Sequence, residues 1–280
     1  MDTKRLFGIR NPWEDVAELY KADNDNCLYG DNHYICHGDE KAIENYNSKA
    51  KGTSDEITTM IPAEPWWGNP LTARLIIFSL NPGYVPEVNM KLAKLMQNND
   101  VVREQVINYK RKTLLLEADS FMPEATDNIF GSPITCKDAV NMLGDWYWHK
   151  MLKHLKKDAK IDDEPFFRQI ALVEYHGYSS QTSNRVFPYK GDSLKSQEFL
   201  KEMIWYIANK NTVKKDVRFL IMRSKDKWEK LLTKVFFDEF HDLIIEKKAS
   251  SMISQYITEA NFDGNKYKEI VDFLTHGKEK

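Results

Sequence analysis

The sequence predicts an α/β protein, a three-layer αβα sandwich around a central, mostly parallel sheet of about four strands. Three observations carry this. Four short apolar runs, "ARLIIFSL", "FRQIALVEYHG", "VRFLIM" and "DLIIEKK", show no polar alternation, as strands covered on both faces do. Helical periodicity separates them, clearest in "SLKSQEFLKEMIWYIANK", where Leu194, Phe199, Met203, Ile204 and Ile207 share one face. At 280 residues, 42% apolar and 12% aromatic, the chain is long and apolar enough to bury such a core.

In chain order, residues 1–62 are polar, rich in Asn, Asp, Tyr and Lys, and read as an amino-terminal extension packed on the main body. A short helix is expected near Pro12–Ala22. The α/β domain is expected over residues 63–280. Its first strand runs to Asn81, and helices follow over about Glu87–Gln97 and Val101–Leu116. Another helix is expected over Lys137–Lys156, then the second strand and the amphipathic helix. The third strand leads into the helix "KDKWEKLLTKVF", the fourth strand follows, and "NKYKEIVDFLTH" closes the chain as a helix.

Composition narrows the function classes. A formal charge of −2 places any nucleic-acid reading on local patches. No apolar run approaches the ~20 residues of a membrane span, and "MDTKRLFGIRNPWED" has no apolar signal core, so a cytoplasmic protein is expected. Three cysteines suit a reducing compartment and are too few for a four-cysteine iron–sulfur cluster. Cys27, His33, Cys36 and His37 crowd one segment, but their spacing matches no standard zinc knuckle, and neither metal nor cofactor is expected. Neither a P-loop nor a dinucleotide fingerprint is present, which argues against NTPases and dehydrogenases.

In parallel sheets ligands bind beyond the carboxyl ends of the strands, so the loops there hold the candidate residues. The first, "SLNPGY", offers Ser79, Leu80, Asn81, Gly83 and Tyr84. As a plain turn, Pro82 would fix φ, Gly83 would supply positive φ and Asn81 would cap the next segment. The second, "VEYHGYSSQTSNR", places Glu174, His176, Tyr178 and Ser179 at the same edge. The third and fourth carry Arg223, Lys225 and Lys227, then Lys247, Lys248, Ser250 and Ser251. Two cationic loops meeting beyond strand ends suggest an anion or phosphate-backbone site. Trp66 and Trp67, between a Pro and a Gly just before the first strand, read as pocket walls, and the Trp146/Trp148 pair as core.

This order of features resembles the uracil-DNA glycosylase superfamily. "SLNPGY" is similar to the Asn-Pro-Gly form of that family's first motif, and "EPWWGNPLTARLIIFSLNPGY" resembles the entry segment of bacterial relatives. "KASSM" stands where the second motif, His-Pro-Ser-Pro-Leu or Asn-Pro-Ser-Gly-Leu, follows the last strand. Lys248 then matches the His or Asn, Ser250 the Ser, and Met252 the apolar wedge that fills the gap left by a flipped nucleotide. The likeness spans about Ala63–Leu274. It departs from the family at Ser79 for Gly, Lys248 for His or Asn, and Ala249 for Pro.

The resemblance implies a monofunctional DNA glycosylase without cofactor, a monomer acting on duplex or single-stranded DNA and leaving an abasic site. Asn81 would orient water and Lys248 or His176 would assist the leaving base. Ser79, Leu80, Gly83, Tyr84, Glu174 and His176 would line the base pocket, and Arg223, Lys225, Lys227, Lys247, Ser250, Ser251 and Met252 would meet DNA. Gly83, where other members carry a large aromatic, removes a wall against pyrimidine C5 groups. Glu174, where relatives often place Asn, only accepts and pairs naturally with the N4 amino group of cytosine. A bulky 5-substituted cytosine of phage DNA, and hence antiviral defence, is the favoured expectation. The alternatives are a glycosylase-like binding module without catalysis, and a hydrolase of free nucleotides or nucleosides.

Overall fold

The structure, a computed structural model, describes residues 8–22, 34–83, 86–118, 150–182, 186–251 and 256–276. Their elements in chain order are α1 (Glu14–Ala22), α2 (Glu40–Ala50), β1 (Trp66–Trp67), β2 (Leu75–Phe78), α3 (Pro86–Gln97) and α4 (Asp100–Leu114). Then come α5 (Lys153–Ala159), α6 (Asp163–Arg168), β3 (Ile170–Val173), α7 (Lys195–Lys210), β4 (Arg218–Ile221), α8 (Lys225–Glu239), β5 (Ile244–Glu246) and α9 (Lys266–Thr275).

The sheet order is β1-β3-β2-β4-β5, parallel throughout except for β1, which runs antiparallel to β3. Helices flank this sheet, making the αβα sandwich the apolar runs predict. The fifth strand is β1, two residues long and too short for any periodicity to show. From the central β2 the chain moves out to β3, returns across β2 to β4, and continues to β5. The chain connections after β2 and β4 therefore run in different directions, which makes this carboxyl edge the switch point where open α/β sheets bind ligands.

Burial explains the apolar runs. Every residue of β2 and β3 is buried, as are Phe199, Leu200, Met203, Ile204, Ile207 and Ala208 on the inner face of α7. A central strand facing helices on both sides has no solvent face, so polar alternation would bury unpaired groups. Among the first 62 residues, Trp13, Val16, Ala17, Tyr20, Tyr34, Cys36, Ile43 and Tyr46 join the same buried cluster, and α1 packs on α4.

Several expectations need correction. The first strand stops at Phe78 rather than reaching Asn81, and Phe167 and Arg168 belong to α6 rather than to β3. Helix α2 went unread because Lys, Asn and Glu mask its buried stripe of Ala42, Ile43, Tyr46 and Ala50. Trp66 and Trp67 are core residues, each 1% exposed, not pocket walls. The Trp66 indole donates to the Thr113 carbonyl, and Lys110 lies 4.3 Å over the Trp67 ring. Residues 137–149, with Trp146 and Trp148, lie outside the described residues. No described helix is long and apolar enough to cross a membrane.

Candidate active site

Parallel register brings the strands to a common edge. Phe78 lies level with Val173 and Ile221, and Ile221 with Glu246. The next residues form a row, Glu174–Ser79–Met222–Lys247, which three strand spacings stretch over about 14 Å.

The loops after β2 and β3 continue side by side past the strands. Ser79 N–H donates to Val173 O (2.9 Å), His176 N–H to Leu80 O (3.3 Å) and Ser180 N–H to Pro82 O (3.4 Å), and Gly83 bridges Ser180. Asn81 sits inside this pairing. Its Nδ2 donates to Ser180 Oγ (3.1 Å), Pro82 O (3.0 Å) and Thr182 O (3.4 Å). Two of those acceptors are carbonyls, which identifies the nitrogen end of the amide. Ser180 Oγ donates in turn to Thr182 O (2.7 Å). Asn81 thus ties the two loops together through its amide nitrogen.

Gly83 is corrected. Its φ lies outside the left-handed region, and a Cβ built on it meets nothing within 4 Å. Neither backbone nor packing requires glycine there. Gly177 is the opposite case: a Cβ would lie 2.9 Å from Pro65 N, so close approach of residues 64–65 requires glycine. Beneath the first loop, the Trp228 indole donates to Ser79 O (2.8 Å) and stacks on Phe78 at 4.2 Å. Leu80 is fully buried, so its side chain serves the core and only its carbonyl serves the loop. Tyr84 and Met252 lie outside the described residues.

Glu174 is 1% exposed, its N–H donating to Pro65 O (2.9 Å). His176 is 2% exposed, with its ring 4.9 Å from Phe187 and stacked at 6.4 Å on Tyr178. Neither ring nitrogen has a hydrogen-bond partner among the described residues. Burial, reinforced by the Lys227 charge, pushes its pKa down to about 3. That shift favours a neutral imidazole at physiological pH and argues against His176 as a proton source.

A buried network that sequence reasoning missed supports this loop. Asp39 accepts from Tyr178 OH (2.7 Å), Ser196 Oγ (2.5 Å), Lys195 N–H (2.6 Å) and Ser196 N–H (3.4 Å). It caps α7, whose own N-cap position, Leu194, has no side-chain acceptor. The partners are 139 to 157 residues away, so no local motif could announce the cap.

The cations depart furthest from expectation. Lys225 pairs with Glu246 (3.0 Å) and Glu229 (3.5 Å), lining a groove of about 570 Å³ between α8, β5 and the start of α9. Lys227 Nζ donates to Phe187 O (2.8 Å), 4.9 Å over the Tyr175 ring. Lys247 is 3% exposed. Burial lowers the pKa of Lys227 to about 8, and burial with the Arg223 charge does the same for Lys247. Arg223 and Lys248 are half-buried, and Ser250 is exposed. Ser251 Oγ is held on Lys248 O (3.1 Å) and Asn261 O (2.9 Å). Lys225, Lys227 and Lys247 are therefore engaged within the fold rather than aligned as open phosphate ligands.

Of the crowded cysteines and histidines, Cys36 and His37 are described. Cys36 is buried, its thiol pushed up by burial first and Asp39 next, whereas His37 is 87% exposed. Cys27 and His33 lie outside the described residues, among which no group of three or more His, Cys, Asp or Glu could hold a metal. No family model, curated protein or solved structure matches this chain.

Proposed function

We propose that the chain is a DNA glycosylase that hydrolyses the base–sugar bond of a modified pyrimidine, a 5-substituted cytosine above all, and leaves an abasic site. The observation that carries this reading is Asn81, an amide whose nitrogen is held by two loops at the carboxyl edge of the sheet, beside a glycine that opens onto empty space. The family resemblance of "SLNPGY" supports it.

In the reaction the N-glycosidic bond breaks with its electron pair going to the base, the sugar passes through an oxocarbenium-like state that water traps, and the proton that water loses neutralises the departed base. The Asn81 oxygen orients that water, which needs positioning rather than a strong base. Buried Glu174 accepts from the cytosine amino group. A positive charge at the far end of the row, from Lys247 or Lys248, stabilises the departing base. His176, being neutral, contributes hydrogen bonds alone.

Mass spectrometry of bases released from duplexes differing only at pyrimidine C5 tests the reading. Asn81→Ala is expected to slow release about 100-fold or more without unfolding the protein. Unchanged release by Asn81→Ala would sink the water-positioning role, and no release from any duplex the activity. The internal engagement of Lys225, Lys227 and Lys247 favours a second reading, hydrolysis of free modified nucleotides or nucleosides, which need fewer phosphate contacts. Turnover of the free nucleotide with none of the same base in DNA would select it.

A further inference from the structure

With Lys225, Lys227 and Lys247 engaged or buried in the fold, a DNA-acting site needs further phosphate contacts, and α5 supplies candidates. Lys153 and Lys157 lie four residues apart on one face of α5, Lys160 follows at its left-handed C-cap, and all three are exposed. Leu152, Leu155 and Ala159 are buried against the core. Of the neighbouring acidic residues, Asp162 is exposed and three are occupied. Lys156 pairs with Asp163, Glu164 with Arg168, and Asp158 accepts the Tyr267 hydroxyl of α9 (2.6 Å). Among the described residues, Lys153, Lys157 and Lys160 make no ion pair, and exposed His154 adds a fourth basic group.

The stripe begins at the candidate site's edge. Ile257 N–H donates to Met151 O (3.1 Å), two residues before Lys153. The same segment holds the loop after β5, because Asn261 O accepts from Lys248 N–H (3.1 Å) and Ser251 Oγ (2.9 Å). From Lys153 to Lys160 the stripe covers about 10 Å, the axial length of about three phosphates on one strand.

We infer that the Lys153–Lys157–Lys160 stripe is a docking surface for the phosphate backbone of DNA, seating the strand beside Asn81. This rests on the DNA reading of the site, and binding separates the two. Fluorescence anisotropy with an unmodified 20-mer duplex, across a salt series, compares the full chain with K153Q/K157Q/K160Q. The triple variant is expected to bind at least tenfold more weakly, its plot of log K against log salt flatter by about 2.7, or 0.9 per phosphate lost. The K153R/K157R/K160R variant retains binding and controls for folding. Equal affinity and slope in wild type and the Gln variant would overturn the surface, as would a wild type that binds no DNA or prefers an acidic protein. Binding without base release leaves the surface standing and removes the glycosylase; base release with binding insensitive to the stripe does the reverse.

Discussion

Asp39→Ala tests how the candidate site is held. The substitution removes one acceptor from four donors, two of them hydroxyls in the interior. Losing the cap of α7 costs about 1 kcal/mol. Leaving Tyr178 OH and Ser196 Oγ without their acceptor adds about 1–2 kcal/mol each, for roughly 3–5 kcal/mol in all. In a chain of this size that lowers the melting temperature by on the order of 10 °C. Asp39→Asn separates hydrogen bonding from charge. Its Oδ1 can still accept both backbone N–H groups, and its amide can donate to the two hydroxyls, which have lone pairs to offer. Burial raises the Asp39 pKa despite these bonds, so the ionised form is the costlier one in the fold. Its favourable contribution is complete below the ordinary carboxylate value of 3.8 and is lost as pH rises through the raised folded value. At neutral pH Asp39→Asn should therefore lose less than about 1 kcal/mol. Calorimetric or circular-dichroism melts measure both variants. Asp39→Ala melting within a degree or two of wild type would refute the network argument.

His176, with a folded pKa of about 3 against 6.5 unfolded, contributes stability that is present above pH 6.5 and lost as pH falls towards 3. The expected slope is about 1.4 kcal/mol per pH unit below 6.5, and denaturant titrations of His176→Asn should show a flatter acid limb. Lys247, with its pKa near 8, predicts that base release declines as pH rises through 8 and that Lys247→Met abolishes this limb in a pH–rate profile. Gly177→Ala should cost about 1–3 kcal/mol against the Pro65 backbone, whereas Gly83→Ala should leave unfolding energies within about 0.5 kcal/mol. Gly83→Tyr, restoring a wall, should lower release of 5-substituted cytosine relative to the unsubstituted base in a competition assay.

The strands and the large amphipathic helix were legible because burial imposes a period on adjacent residues. Leu75–Phe78 had no alternative to a covered strand, and Phe199, Met203 and Ile204 none to an inward face. For the same reason the loops that could carry chemistry were found, since they follow the strands directly. Asn81, Glu174, His176 and Lys247 were all named from that position. Their states were not. Whether a lysine meets solvent or a carbonyl depends on segments far away in sequence, as Lys227 on Phe187 O shows. A histidine's charge depends on the aromatic rings around it.

The chain's own order of residues thus decided the α/β class and the position of the carboxyl-edge loops, because these depend on local periodicity. Tertiary structure alone decided that Asp39 caps a helix beginning at Lys195, that burial favours a neutral His176 and that three strand-end lysines are engaged or buried in the fold. Burial and hydrogen-bond partners are properties of contact in space, and these contacts join residues the sequence keeps tens to more than a hundred positions apart.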